Sequence, residues 1–241
     1  MQTARPTETA AMRLMAALGL AAALTSSAAS AAAPQPVVVE LFTSQGCSSC
    51  PPANETLSRL AGRADVLALS FGVTYWDQLG WKDTFASSQF TARQWDYARG
   101  LKHAQVWTPQ MVVDGRADSV GQTLAQIEPV IAAARARHAE APAIEVAGGQ
   151  VTLASGKAPK AAADVWLVRY DPREVQVPIR RGENGGRTLP HRNVVRELTR
   201  LGAWSGGART YPIKPSTDPA LSSAVLVQAG PGGAIIAAAK G

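Results

Sequence analysis

The chain has 241 residues, and its formal net charge of +6 is unevenly distributed. Residues 1–140 contain 11 Lys or Arg and 11 Asp or Glu, whereas residues 141–241 contain 13 and 7. This asymmetry predicts two domains and an acidic partner or anionic surface for the second, basic one. Nucleic acid is not an expected partner, because the sequence has no basic patch interleaved with aromatic residues.

Residues 1–33 are a predicted signal peptide and not part of the fold. Arg13 is followed by an apolar run over residues 14–24 and then by small residues up to Ala33. A positive charge, a short apolar segment and an A-x-A-like cleavage site are typical of secretory signals. The run is shorter than the about 20 apolar residues that a transmembrane helix needs. We therefore expect a periplasmic or secreted protein without a transmembrane segment.

Residues 34–140 predict an α/β domain. Apolar runs over residues 37–42 and 65–73 predict two buried strands. Between them, apolar residues at helical spacing predict a helix that Gly62 ends. A strand, a helix and a second strand over so short a distance predict a βαβ unit with parallel strands.

The same domain continues with a predicted helix from Ser88, a strand that Pro109 opens, and a helix over residues 122–138. A short strand reaching Val120 is expected between the last two elements. Pro129 lies inside the last segment. It predicts a kink or a later start, because proline in a helix interior removes a hydrogen bond and clashes with the preceding turn.

Residues 141–241 predict a β-rich, sandwich-like domain. Short apolar runs separated by glycine and proline turns are typical of such folds. The predicted strands cover residues 144–147, 150–154, 163–170, 174–179, 221–228 and 234–238. Residues 193–204 are ambiguous, because their apolar residues are spaced as in a helix but the segment lies among strands.

The chain contains two cysteines, Cys47 and Cys50, which follow the first predicted strand and precede a helix opened by Pro51. In an oxidising compartment two cysteines usually form a structural disulfide. By the chain-entropy estimate, closing a loop of about four residues contributes only about 2 kcal/mol, against about 4.7 kcal/mol for about one hundred residues. The spacing therefore favours a redox role over a structural one.

The predicted order β-α-β-α-β-β-α resembles the thioredoxin fold, in which a cis-proline faces a C-x-x-C pair. The pair here follows the first strand, and Thr108-Pro109 precedes the third. More narrowly, several segments are similar to an exported bacterial family known only as domain of unknown function 1223. They are residues 40–52, 75–77, 108–115 and 182–184, with His191 and residues 193–195. The resemblance covers nearly the whole mature chain and implies a thioredoxin-like domain without a settled activity.

The thioredoxin pattern implies that Cys47 is the exposed nucleophile and Cys50 the resolving thiol. A helix N-terminus lowers the pKa of a nearby cysteine through its N–H dipoles. Pro51 disfavours the α conformation at Cys50, so we expect the helix to begin at Pro51 with Cys50 as its cap. The helix N-terminus can then stabilise either thiolate. The nucleophilic and resolving roles are therefore less sharply assigned to Cys47 and Cys50.

Three further residues are candidates for the site. We expect a cis peptide bond at Pro109, which would place the backbone of Thr108 against a substrate; the alternative is a trans proline that opens a strand. Glu40 could shuttle the proton of the resolving cysteine, although it lies one residue further from the pair than the acid of thioredoxins. An ion pair is the alternative for Glu40.

Other groups are weaker candidates. An aromatic cluster could line a groove beside the cysteines or belong to the core; it comprises Trp76, Trp81 and Trp107, with Asp77 beside it. His103, His138 and His191 lack metal-ligand spacing, but one of them could join the cysteines to hold copper(I). Residues 182–187 predict a tight turn. Arg187 and His191 could form a second site or contact the first domain.

These features predict an exported thiol–disulfide oxidoreductase that acts on exported thiol or disulfide proteins and needs no dissociable cofactor. The alternative is a non-catalytic binding module whose cysteine pair is a copper site or a structural disulfide. The two serines between the cysteines match neither common reducing nor common oxidising dipeptides. The direction of electron flow therefore stays open.

Overall fold

A computed structural model describes residues 1–2 and 35–241 of the chain. Nearly all of the predicted signal peptide lies outside the described residues. Within them, no helix is both long and apolar enough to cross a bilayer. The helices are α1 (Pro51–Ala61), α2 (Ser88–Gly100) and α3 (Leu124–Arg135). The strands are β1 (Val37–Thr43), β2 (Val66–Gly72), β3 (Gln110–Val113), β4 (Ala117–Ser119), β5 (Ile144–Ala147), β6 (Gln150–Leu153), β7 (Ala163–Asp171), β8 (Val175–Pro178), β9 (Thr188–His191), β10 (Val194–Trp204), β11 (Arg209–Pro212), β12 (Ser222–Gln228) and β13 (Ile235–Lys240).

The predicted βαβ unit is confirmed, because β1 and β2 pair in parallel and α1 connects them. Helix α1 begins at Pro51 with Cys50 as its N-cap, as expected. Cys50 nevertheless has α-region φ and ψ angles of −78° and −32°, which Pro51 was expected to disfavour. Its carbonyl accepts hydrogen bonds from the backbone N–H groups of Ala53 and Asn54, at 3.0 and 3.1 Å. These two bonds offset the steric preference.

Helix α3 is shorter than predicted at both ends, and Pro129 lies inside it. The helix starts at Leu124 because the preceding residue, Thr123, forms a cap. The backbone N–H of Thr123 donates to the side chain of Gln126 at 3.2 Å, which satisfies a donor at the helix start.

Eight strands form the main sheet in the order β13-β12-β7-β10-β2-β1-β3-β4. Strand β10 joins the two parts of the sheet, pairing with β2 in parallel at Val194 and Ser70 and with β7 in antiparallel. The sheet therefore contains strands from both sides of residue 140, where the sequence predicts a domain boundary.

The ambiguous segment is strand β10, and its helix-like spacing has a physical cause. Its pairing with β7 shifts register between Val195 and Glu197 and again between Arg200 and Gly202. Each bulge inserts an extra residue. Across a bulge, successive inward-facing residues are therefore three positions apart in the sequence and not two. Val195 and Leu198 are buried on either side of the first shift, while Arg196 is exposed.

A second sheet, β11-β6-β5, packs on the C-terminal part of the main sheet. Their shared core includes Val151 and Leu153 from β6, Val165 from β7 and Val227 from β12, with Trp204 fully buried. Strands β8 and β9 form a separate hairpin.

The two faces of β1 pack against different helices. Val37, Val39 and Leu41 share a core cluster with residues of α1 and α3. Val38 and Phe42 share another cluster with residues of α2 and of β7, β10 and β12. This second cluster is common to residues before and after position 140.

Candidate functional site

Cys47 and Cys50 lie at the junction of β1 and α1 and are joined by a disulfide, with their Cα atoms 5.4 Å apart. The turn before the helix is held by two backbone hydrogen bonds. The N–H of Cys47 donates to the carbonyl of Ser44, and the N–H of Cys50 donates to that of Cys47, each at 3.2 Å. The connection between strand and helix therefore presents both sulfurs at the N-terminus of an 11-residue helix.

Cys47 is not exposed, contrary to the expectation for a thioredoxin-like nucleophile. Both cysteines have 0% relative exposure, whereas the intervening Ser48 and Ser49 are exposed. The loop between β8 and β9 lies against this turn. The buried side chain of Asn184 donates from Nδ2 to the carbonyls of Gln45 and Cys47, both at 2.9 Å.

Glu183 reaches the same turn from the neighbouring position. Its Oε2 accepts hydrogen bonds from the hydroxyl and the backbone N–H of Ser48, at 2.6 and 3.1 Å. The Ser48 hydroxyl, followed by its N–H, lowers the pKa of Glu183, so this carboxyl is ionised at the residue between the two cysteines that follows Cys47. Arg187 supports the loop by donating to Asn184 Oδ1 at 2.7 Å.

Residues 182–187 form the predicted tight turn, and Arg187 belongs to a loop that contacts the first predicted domain, but the place of Glu183 and Asn184 at the cysteine pair was not predicted. The turn is present, with φ of +75° at Gly182 and +83° at Gly186. Its contact with Ser48 spans 135 positions, so no local spacing could predict it. The one available signal was that residues 182–184 belong to the segments that carry the family resemblance.

Thr108 and Pro109 are brought to the cysteines, and the peptide bond between them is cis, as expected. The hydroxyl of Ser49 connects the cysteine turn to the Thr108–Pro109 segment. It lies 3.3 Å from Cys47 Sγ and donates to the Thr108 carbonyl at 3.5 Å. The Thr108 hydroxyl in turn accepts from Trp76 Nε1 at 2.8 Å.

The predicted aromatic cluster divides between two places. Trp76 and Trp81 are half-buried at the site, where Trp81 Nε1 donates to Gln45 Oε1 at 2.9 Å. Trp107 instead stacks edge-on against His103, with ring centroids 4.9 Å apart. Asp77 accepts a hydrogen bond from the backbone N–H of Asp83 at 3.0 Å and so acts within the connecting loop.

Asp83 is a second residue that the sequence did not single out. Its two oxygens accept from the backbone N–H groups of Gln45 and Phe85, at 2.8 and 2.7 Å. Burial raises the pKa of Asp83 to about 6, although these hydrogen bonds oppose the shift. The side chain fixes the turn that precedes Cys47.

Glu40 is not brought to the cysteine pair, which corrects its predicted place at the site. It lies on the α2 face of β1, between Val38 and Phe42, whereas α1 packs on the opposite face. Its carboxylate is fully buried and forms an ion pair with Arg93 of α2, with Nε–Oε1 at 2.7 Å and Nη2–Oε2 at 3.2 Å. Tyr97 also donates to it. The one-residue difference in spacing explains this outcome, because adjacent strand residues face opposite sides.

Residues 35–241 contain no group of three or more His, Cys, Asp or Glu side chains arranged to hold a metal. His191 packs edge-on against Phe85, with centroids 5.5 Å apart. Burial lowers the pKa of His191 to about 4, so the ring is neutral at physiological pH. Arg187 supports the loop at the cysteines, while His191 lies on the following strand.

Comparison with known proteins finds one family and two solved structures. The family described as "Protein of unknown function (DUF1223)" matches residues 38–228. Protein AGR_C_4864 from Agrobacterium tumefaciens is 33% identical, with a TM-score of 0.68 over 85% of this chain and 92% of that one. HBP35 of Porphyromonas gingivalis is 15% identical, with a TM-score of 0.59 over 86% of this chain and 75% of that one, a similarity of fold alone. None of the curated proteins matches the sequence.

Proposed function

The chain belongs to the DUF1223 family, and we propose that it is an exported, thioredoxin-like thiol–disulfide oxidoreductase that acts on other exported proteins. The observation that carries the proposal is the Cys47–Cys50 pair at the N-terminus of α1, with the Ser49 hydroxyl 3.3 Å from Cys47 Sγ. Glu40 has no part in it, because its carboxylate is committed to Arg93 on the other face of the sheet.

The proposed chemistry is exchange between this pair and a substrate dithiol or disulfide. In the oxidised protein, a substrate thiolate attacks Cys47 Sγ and Cys50 leaves as a thiolate that takes up a proton. A second substrate thiolate then displaces Cys47, giving the substrate disulfide and the reduced pair. In the reverse direction, Cys47 attacks a substrate disulfide and Cys50 resolves the mixed disulfide, so two electrons pass to the substrate.

Two local features support a reactive thiolate at Cys47. The helix N-terminus places the partial positive charge of the helix dipole near the sulfurs, although Pro51 and Pro52 supply no N–H group there. The Ser49 hydroxyl can donate a hydrogen bond to the thiolate, which favours the charged form. Removal of this hydroxyl is therefore expected to raise the pKa of the Cys47 thiol.

The setting of the pair supports the thioredoxin-like part of the proposal. The pair follows β1 of a parallel βαβ unit, and the cis Thr108–Pro109 bond precedes the antiparallel strand β3. The Thr108 carbonyl lies next to the Ser49 hydroxyl, where it could accept a hydrogen bond from the backbone of a substrate peptide. Export rests on the sequence of residues 1–33, and an oxidising compartment suits a cysteine pair of this kind.

The experiment that tests the proposal follows exchange with a disulfide-linked, self-quenched fluorescent peptide. The reduced wild-type protein is expected to cleave the peptide, and Cys47→Ser is expected to abolish this activity. Cys50→Ser retains the nucleophile and should accumulate a mixed disulfide that a gel shift detects. Exchange by Cys47→Ser at the wild-type rate would contradict the proposal.

The same variants distinguish the alternatives that the sequence left open. If the double variant Cys47→Ser/Cys50→Ser changes only the free energy of unfolding, by about 2 kcal/mol, the pair is a structural disulfide. Stoichiometric copper(I) binding by the reduced wild type, lost in the double variant and without peptide cleavage, would favour a binding module. Either result would exclude the oxidoreductase.

A further inference from the structure

A surface cavity lies away from the cysteine pair. Its volume is about 290 Å³, and none of the residues that form the candidate site lines it. It is formed where the turn after β3, the end of α3, the segment between β6 and β7, and β13 meet. Its charged lining residues are Arg116, Arg137, His138, Glu140, Lys157 and Lys160.

The charges around this cavity do not cancel. Lys157 is paired with Glu140 at 2.7 Å. The other cations, Arg116, Arg137 and Lys160, form no ion pair with any carboxylate within residues 35–241. Three like charges around one concave site repel each other and concentrate a positive potential there. An anion in the cavity would relieve this repulsion.

His138 also lines this cavity, and it pairs with Asp114. Its Nε2 lies 2.7 Å from Asp114 and its Nδ1 lies 3.3 Å from the carbonyl of Gln35, so both ring nitrogens face acceptors. The hydrogen bond to Asp114 is the main cause that raises the pKa of His138. In the described part of the chain, the Asp114 carboxylate is hydrogen-bonded to His138 and forms no ion pair with Arg116, Arg137 or Lys160.

The helix end accounts for only one of these cations. Arg137 follows the C-terminus of α3, where the helix dipole favours a positive charge. Arg116 lies in the turn after β3 and Lys160 in the segment before β7, so neither belongs to a helix. Their convergence on one cavity calls for another explanation.

The remaining walls are apolar, and they include Pro142, Pro159, Ile235 and Ile236. Sites for organic ligands combine mainly apolar walls with a few polar groups that fix orientation, and their volumes start at about 300 Å³. The cavity is at this lower limit, so a compact molecule fits it. Arginine side chains suit carboxylate and phosphate groups because their paired N–H donors match two oxygens.

We propose that this cavity binds a small organic oxyanion, in which a carboxylate or phosphate group contacts Arg116, Arg137 and Lys160 and a compact apolar body packs against the prolines and isoleucines. The site is independent of the cysteine chemistry. It also gives the excess positive charge of residues 141–241 a local role at Lys160.

The test uses phenyl phosphate as the probe, because it joins one oxyanion to one apolar ring. Isothermal titration of the full mature chain should give saturable binding at one site. Arg137→Gln/Lys160→Gln should weaken this binding at least about tenfold, which corresponds to the loss of one or two charged contacts. The matched control is Lys102→Gln/Lys214→Gln, which removes the same charge at exposed positions outside the cavity and should bind within about twofold of wild type.

Three outcomes would overturn the proposal. The first is no saturable binding up to about 1 mM phenyl phosphate. The second is equal weakening in the control, because this would assign the binding to overall charge. The third is equally tight binding of inorganic phosphate, because the apolar wall would then contribute nothing. Unfolding curves establish that each variant is folded, and Arg116→Gln, on an exposed turn, replaces the double variant if that variant is unstable.

Discussion

At the scale of single residues, Glu183 places an ionised carboxylate on Ser48, the residue after Cys47, whose sulfur must also ionise in the proposed chemistry. Its hydrogen bonds use the N–H and hydroxyl of Ser48, the residue after Cys47. A nearby negative charge disfavours a thiolate, and a less stable thiolate makes the disulfide harder to reduce. We therefore expect Glu183 to bias the pair towards its oxidised form.

Replacing Glu183 with glutamine is expected to make the reduction potential less negative by roughly 10–30 mV. Glutamine keeps an acceptor oxygen for Ser48 but removes the charge. The potential is measured by equilibration with glutathione buffers, and Glu174→Gln on the exposed start of the β8–β9 hairpin is the control. An unchanged or more negative potential in Glu183→Gln would show that the charge does not act on Cys47.

Glu40, unlike Glu183, does not contact the cysteine site, and it stabilises the fold. Glu40→Gln leaves Arg93 buried, at 6% exposure, without its charge partner. Removing one member of a buried pair costs about 3–5 kcal/mol. We expect this loss in urea unfolding, while the peptide-exchange rate of the folded variant stays at the wild-type value. A large fall in that rate at unchanged stability would return Glu40 to the catalytic role that its place in the sequence suggested.

At the scale of elements, Asn184 fixes the loop between β8 and β9 to the turn at residues 45–47, and we expect this loop to limit access to the buried Cys47. Asn184→Ala removes two hydrogen bonds from buried carbonyls. We expect the free energy of unfolding to fall by about 1–3 kcal/mol. We also expect faster reduction of the disulfide by a phosphine, because opening the loop exposes Cys47. Ser216→Ala, in another exposed loop, is the control, and an unchanged reduction rate in Asn184→Ala would show that the loop does not limit access.

The elements also show what the sequence can and cannot predict. The βαβ unit was predictable because its strands and helix are adjacent in sequence and each has a clear periodicity. Strand β10 was ambiguous because two bulges gave its buried residues a helix-like spacing. The contact between Glu183 and Ser48 and the pairing of β10 with β2 join distant segments, and periodicity within a segment carries no information about its partner.

At the scale of the whole molecule, the two predicted domains share a sheet, a core and the candidate site. Arg93 of α2 donates to Gln228 of β12 at 3.0 Å, so the buried ion pair itself depends on the C-terminal half. The cysteines come from the first half and Asn184 from the second. Under the proposed function, we expect a redox change at the pair to alter the contact between the halves, since the β8–β9 loop lies on the turn that carries the cysteines.

Two buried titratable side chains, His191 and Asp83, predict how the free energy of unfolding depends on pH. His191 has a pKa of about 4 in the folded protein and 6.5 when unfolded. Between these values the unfolded chain binds a proton that the folded chain does not, so stability is lost as the pH falls from 6.5 to 4. Asp83 acts in the opposite direction, because its folded pKa of about 6 exceeds its unfolded value of 3.8. Its contribution appears as the pH falls through 6, and the two effects largely cancel in the wild type.

Variants that remove only one of these two titrating side chains should reveal the pH dependence that the other contributes to stability. Compared with wild type, His191→Phe is expected to gain roughly 2–3 kcal/mol between about pH 7.5 and about pH 4.5, because it removes the group that resists protonation. Asp83→Asn should lose a similar amount over the same interval, because it removes the group that gains a proton in the folded state. Urea unfolding at both pH values measures the differences. If the free energy of unfolding changes equally between the two pH values in wild type and both variants, neither side chain is buried as in this structure. The turn before Cys47 would then be held by groups other than Asp83.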